Sequence, residues 1–137
     1  MSNTELITQL YAAFASKNRQ QLEQICSEDI IWKQNPGFPG GGIHQGVENI
    51  IKNVYEANAA RWDSFSFKTE KITSLGDTVV VEGLYAVQSK KAKKTVQAQT
   101  VHIFNFNKQK VKSFQQYTDT KVLWDNFKGV ETNETLL

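Results

Sequence analysis

The sequence predicts an α+β domain. Apolar residues recur at helical intervals over roughly the first 60 positions, one Pro/Gly-dense break interrupts them, and from Ser64 onward the apolar period changes to two. A chain of 137 residues is long enough to bury a core of its own, and a single domain over residues 1–130 with a flexible tail at 131–137 accounts for it.

Ser2-Asn3-Thr4-Glu5 has the spacing of a capping box, in which a hydroxyl and a carboxylate satisfy the free donors at a helix start. Leu6, Ile7, Leu10, Tyr11 and Phe14 then share one face, so a first helix runs to about Ser16. Asn18 can cap a second, shorter helix that turns Leu22, Ile25 and Cys26 inward, and Asp29 to Gln34 reads as a strand. Asn35-Pro36-Gly37-Phe38-Pro39-Gly40-Gly41-Gly42 predicts a mobile loop, since prolines lack the backbone donor and glycines leave the chain unrestrained. Beyond Gly46, Val47, Ile50, Ile51, Val54 and Tyr55 mark a third helix to about Ala60.

Phe65 and Phe67 alternate with Ser66 and Lys68, a Leu75-Gly76-Asp77 turn follows, and Thr78 to Val81 is rich in β-branched residues. Val96 to Phe106 and Val111 to Tyr117 are two further strands joined by a polar turn at Asn107 to Lys110. Asp119 or Thr118 can cap a last helix carrying Val122, Leu123 and Phe127, with Gly129 as its stop.

Strand faces carry a further expectation. One face of Val96 to Phe106 bears Ala98, Thr100, His102, Phe104 and Phe106, and the other bears Val101 and Ile103 between Gln99 and Asn105. A sheet solvated on one side alternates more cleanly than this. With Val80, Leu84 and Ala86 on the neighbouring strand, the second face predicts a homodimer packed back to back through the outer sheet; scattered surface hydrophobes are the other explanation.

Composition excludes several classes. The formal charge is only +2, and four of the sixteen basic residues lie in Lys90-Lys91-Ala92-Lys93-Lys94, a hairpin tip without interleaved aromatics, so no nucleic-acid surface is expected. Cys26 is the only cysteine, which rules out an internal disulfide and predicts a reducing compartment. The start of the sequence has no secretory pattern and no run of apolar residues reaches membrane-spanning length, so the expected location is cytoplasmic, without a membrane partner. Neither His44 nor His102 has metal-ligand spacing to other ligating residues, and Gly40-Gly41-Gly42 matches no phosphate-binding motif, so no metal and no cofactor are expected.

The order helix, helix, strand, helix and four antiparallel strands resembles the cone-shaped nuclear transport factor 2-like superfamily over nearly the whole chain. Trp32, the Gly46 helix start, Gly83-Leu84-Tyr85, Val101-His102-Ile103-Phe104 and Phe114-Gln115-Gln116-Tyr117-Thr118-Asp119-Thr120 look like its SnoaL-like, ketosteroid-isomerase-like branch. That resemblance implies a curved, mainly antiparallel sheet wrapped by the N-terminal helices, with a short C-terminal helix and an apolar pocket inside. It also implies that Asp119 stands where SnoaL-type polyketide cyclases carry their acid/base carboxylate, with Tyr117 and His102 facing the same cavity. Ketosteroid isomerases place a base carboxylate near the first strand, where this chain has Trp32-Lys33-Gln34, and limonene epoxide hydrolases need an Arg and an Asp where Gly83-Leu84-Tyr85 falls. Those two chemistries are therefore not expected.

The reaction that remains is proton abstraction beside a carbonyl by a cofactor-independent isomerase, cyclase or dehydratase. Asp119 would take the proton while His102 and Tyr117 donate to the developing enolate oxygen. Trp32, Tyr55, Trp62, Tyr85 and Phe104 would line a site for a flat hydrophobic ligand, and Phe38 would close over it from the mobile loop. Each assignment has a plainer counterpart: Asp119 as a helix N-cap, His102 as a satisfied core histidine, Tyr117 as a wall, and the aromatics as core. Under that counterpart the chain is a non-catalytic module that binds a hydrophobic ligand or dimerises.

Overall fold

A computed structural model describes residues 1–130; the tail expected at 131–137 lies outside the described residues. Helix α1 (Asn3–Ala15) starts where the capping box places it, the Glu5 amide donating to Ser2 Oγ at 3.1 Å. Helix α2 (Arg19–Ile25) is capped by the Asn18 side chain and leads without a loop into strand β1 (Cys26–Gln34). Cys26 thus begins a strand rather than ending the helix.

The Pro/Gly segment is less irregular than its composition suggests. Its last glycine opens strand β2 (Gly42–Gln45), which pairs antiparallel with β1 from Gln34↔Gly42 to Ile31↔Gln45. The third helical stretch follows one path but changes winding: α3 (Val47–Ile50), a π-helical segment (Ile51–Glu56) and α4 (Ala57–Arg61). Wider π turns recur beside functional sites, and this one carries Val54 and Tyr55.

Strands β3 (Trp62–Leu75), β4 (Thr78–Ser89), β5 (Val96–Asn107) and β6 (Lys110–Thr118) form an antiparallel meander, with the lysine run at the β4–β5 tip. Strand β1 joins its far side in parallel with β6, giving one six-stranded, mainly antiparallel sheet in the order β2-β1-β6-β5-β4-β3. Helix α5 (Thr120–Lys128) closes one end and stops at Gly129, whose φ of +78° is the left-handed conformation that glycine adopts without strain.

Curvature comes from register shifts in β3, between Trp62 and Ser64 and between Thr69 and Lys71. Gly83 of β4 sits at the second shift. A Cβ there would meet the Lys68 carbonyl and come within 2.7 Å of the Phe67 ring, so only glycine lets β3 fold this closely onto β4.

Two buried clusters result. The larger packs Ile7, Leu10 and Phe14 of α1 and Ile50 of α3 onto Trp32, Val79, Val81, Phe104 and Phe114 of the sheet. The smaller joins Phe38, Trp62, Tyr85, Val87, Ala98 and Leu123 beneath α5. No helix among the described residues is long and apolar enough to cross a membrane.

Candidate functional site

A cavity of about 540 Å³ separates the two clusters, within the range of about 300–1,000 Å³ typical of small-molecule sites. Tyr11 and Phe14 of α1, Val54 and Tyr55 of the π segment and Asn58 of α4 form one wall. Trp32 and Gln34 of β1, Trp62, Phe65 and Phe67 of β3, Tyr85 of β4, His102 of β5 and Phe114 of β6 form the other. Ala59, Asp63, Ser64, Ser66 and Thr69 also border it and are exposed, which places the mouth along the start of β3.

The floor is a buried polar row set by strand register. His102 lies opposite Gln116, and Trp32 opposite Phe114, so Gln34, two residues beyond Trp32, comes beside Gln116 on the same inward face. Tyr11 Oη lies 2.8 Å from His102 Nδ1, and Tyr85 Oη 2.7 Å from His102 Nε2. Gln116 Nε2 donates to Tyr85 Oη at 2.8 Å, and Gln116 Oε1 accepts from the Asn35 backbone amide at 3.1 Å. Gln34 Oε1 accepts from Trp32 Nε1 at 3.1 Å. Gln34 and Asn58 are buried residues, and neither the Gln34 NH2 nor the Asn58 side chain has a hydrogen-bond partner among the described residues; nor does the buried Trp62 Nε1.

Burial governs the charge state of this row. It pushes the His102 ring down to about 3, so the imidazole is neutral and carries one N–H. Phe67 stacks on that ring at 4.3 Å and Phe114 meets it at 4.8 Å, closing it off from water. The hydroxyls of Tyr11, Tyr55 and Tyr85 are raised, again chiefly by burial; the Gln116 donation acts the other way on Tyr85. All four groups are therefore uncharged, and Tyr11, Tyr85 and His102 are joined by hydrogen bonds.

The trio expected from the sequence is not brought together. His102 is in the cavity, but Tyr117 is 51% exposed on the opposite face of the sheet. The reason is parity: Tyr117 pairs with Val101, and Gln116 with His102. Asp119 is an N-cap, its Oδ1 accepting from the Val122 amide at 3.3 Å, and it borders a shallow outer concavity with Tyr117, Glu70 and Glu82. Of the carboxylates among the described residues, only Asp63 borders the cavity.

Trp32, Tyr55, Trp62 and Tyr85 line the cavity, whereas Phe104 is wholly buried in the larger core. Phe38 is buried rather than poised over a ligand. Only 2% exposed, it packs against Phe65 and Tyr85, and its loop is held by Trp124 Nε1 donating to the Gly37 carbonyl and Arg61 donating to that of Pro39. Tyr11, Gln34, Asn58, Phe67 and Gln116 were absent from the expected site. Two of them had a readable signal: Gln116 has the inward parity of Phe114, and Tyr11 lies on the apolar face of α1. Among the described residues, no group of three or more His, Cys, Asp or Glu side chains is placed to hold a metal ion.

Among curated proteins none matches this chain in sequence. Solved structures share its fold. An NTF2-like protein from Burkholderia thailandensis is 24% identical with a TM-score of 0.82, over 89% of this chain and 94% of its own. TerC, co-crystallised with polyporic acid, is 21% identical with a TM-score of 0.81, over 93% of this chain and 98% of its own. A SnoaL-like polyketide cyclase assignment attaches to a protein from Jannaschia sp., 15% identical with a TM-score of 0.74, over 91% of this chain and 90% of its own. At these identities the likeness establishes the fold. The model of the SnoaL-like domain matches residues 7–114, and this chain belongs to that family.

Proposed function

We propose that the chain binds a small, flat, largely apolar carbonyl compound in the cavity between its two clusters. The observation that carries this reading is the pairing of an aromatic-walled space of about 540 Å³ with a floor of neutral, buried hydrogen-bonding groups. Aromatic walls gain by covering a flat apolar molecule, and the few polar groups orient it. A protein of the same fold crystallised with polyporic acid supports a small-molecule role.

Titration with flat cyclic ketones, followed by quenching of Trp32 and Trp62 fluorescence, tests the reading. Saturable quenching is expected in the native chain and none in Ala59→Trp, which blocks the mouth without entering either core. Binding unaffected by that block would place the ligand elsewhere.

A catalytic reading is favoured by one feature, the Asp63 carboxylate at the cavity mouth. In it, Asp63 takes a proton from a carbon at the mouth end of the ligand that is conjugated with the carbonyl, and returns one. Exchange of that proton for deuterium, followed by NMR, should stop in Asp63→Asn while binding persists; continued exchange removes Asp63 from the role.

The outer sheet face, with Val80, Leu84, Ala86, Val101 and Ile103 half-buried and Tyr117 exposed, suits pairing with a second copy. Ile103→Lys should convert a dimer to a monomer in light scattering if this face is used. A reducing, cytoplasmic setting suits a lone buried Cys26 whose thiol is pushed up to about 12 by burial.

A further inference from the structure

The polar floor contains more information than a set of contacts, because two of its side-chain orientations are forced. The Asn35 backbone amide is only a donor, so the Gln116 atom facing it at 3.1 Å must be the carbonyl oxygen. The Gln116 NH2 therefore faces Tyr85, whose oxygen accepts from it at 2.8 Å. Likewise, the Trp32 indole N–H can only donate, so Gln34 presents Oε1 to it and its NH2 to the cavity.

His102, neutral and flanked by a tyrosine on each nitrogen, has one nitrogen that donates and one that accepts. Whichever way the ring is protonated, one tyrosine hydroxyl hydrogen is left over. Two features decide which. Tyr85 is 5% exposed and already accepts from Gln116, and an accepting hydroxyl becomes the stronger donor. Tyr11 is only half-buried and has no side-chain hydrogen bond among the described residues besides the one to His102, so its hydroxyl can turn its hydrogen into the cavity.

The geometry points to a one-way relay, Asn35 N–H to Gln116, Gln116 to Tyr85, Tyr85 to His102 Nε2 and His102 Nδ1–H to Tyr11, that leaves the Tyr11 hydroxyl hydrogen for the cavity the Gln34 NH2 also lines, the two serving as donors to a ligand carbonyl. Gln116, which never meets the ligand, is then the positioning residue that sets the direction of the relay. With the proposed ligand class in place, the occupant is a ketone or quinone held carbonyl-first. Its far end lies toward Asn58 and Asp63, the groups of the opposite wall and mouth that can accept.

The relay is tested without any ligand by ¹⁵N NMR of the histidine rings, with His102→Gln assigning the signal against His44. Protonated Nδ1 and bare Nε2 at His102 are expected; the opposite tautomer overturns the inference. Gln116→Glu should reverse the tautomer as the introduced carboxylate ionises with rising pH. A carboxylate accepts the Tyr85 hydrogen, and His102 Nε2–H must then donate to Tyr85. Gln116→Met, which removes the donor without adding charge, should leave a mixture of tautomers; a tautomer unmoved in both folded variants removes Gln116 from the role.

The donor pair is tested with 9-fluorenone and 9-fluorenol. The ketone is expected to bind at least about fivefold more tightly, the worth of one net hydrogen bond. Its carbonyl stretch should fall in frequency on binding and recover in Tyr11→Phe and in Gln34→Met. Equal affinity with an unshifted stretch overturns the donor pair. Failure of both compounds to bind, with the Nδ1–H tautomer present, counts against the binding reading on which the ligand class rests and leaves the relay standing.

Discussion

Gln116 and Tyr117 are neighbours in β6, yet one is wholly buried beside His102 and the other is 51% exposed on the outer surface. The same divide runs through the whole meander: Phe114, Gln116, His102, Phe104 and Tyr85 look inward, while Gln115, Tyr117, Val101, Ile103 and Leu84 look outward. On the inner side polar groups must find partners, because an unpaired buried donor or acceptor costs about 1–3 kcal/mol. On the outer side Tyr117 has no such requirement, and Asp119 spends its carboxylate on a helix start. A polar residue on this sheet therefore carries site chemistry only if its parity is right.

The largest expected effect that would sharpen this contrast is Phe114→Ala, which empties a fully buried position stacked on Trp32 at 3.6 Å. A loss of about 3–5 kcal/mol is expected in urea unfolding. Gln115→Ala, one residue away on the outer face, should stay within about 0.5 kcal/mol. Similar losses at both positions would break the contrast.

His102 supplies the next effect. In the unfolded chain its ring takes up a proton below about 6.5, while in the folded protein it stays neutral down to about 3. The stability associated with the neutral ring is complete above 6.5 and is lost as pH falls from there toward 3, at about 1.4 kcal/mol per unit. Urea midpoints measured across that window should show this slope in the native chain and a flatter one in His102→Gln.

Gly83→Ala comes third. The added methyl displaces Phe67 from its stack on His102, for a loss of about 1–3 kcal/mol with weakened ligand binding. Smallest of the four is Asp119→Ala, expected to cost about 1 kcal/mol as a lost helix cap and to leave ketone binding unchanged. A loss of binding there would bring the outer rim back into the site.

How much of this was legible depends on how local its causes are. Helix α1 was readable because Ser2, Glu5 and the apolar stripe act within a few turns. The faces of β5 were readable because Phe104 and Phe106 mark one side by bulk. The edge strand β2 was hidden: four residues beginning with glycine, with Ile43 68% exposed, have no pattern until β1 pairs with them. His102, Trp32, Tyr55, Trp62 and Tyr85 could be placed at the cavity as large inward groups. Gln34 and Gln116 share the parity of Trp32 and Phe114, but parity alone did not single them out, since a glutamine in a strand has the chemistry of a surface residue until register sets it beside a buried partner. Tyr117, the tyrosine chosen from the sequence, lies on the outer face of β6, whereas the one at His102 Nδ1 comes from α1, some 90 residues earlier.

The anchoring of the Phe38 loop has a consequence for traffic. With that end of the molecule fastened by Trp124, Arg61 and the buried phenyl ring, the proposed ligand would pass in and out along the β3 rim, where the exposed bordering residues Ala59, Asp63, Ser64 and Ser66 are small or polar. Such an opening limits the thickness of an occupant and not its length. A compound whose ring system fills the interior can trail a chain into solvent past Asp63, and exchange should follow single-phase kinetics set by the width of the rim, with no separate opening step.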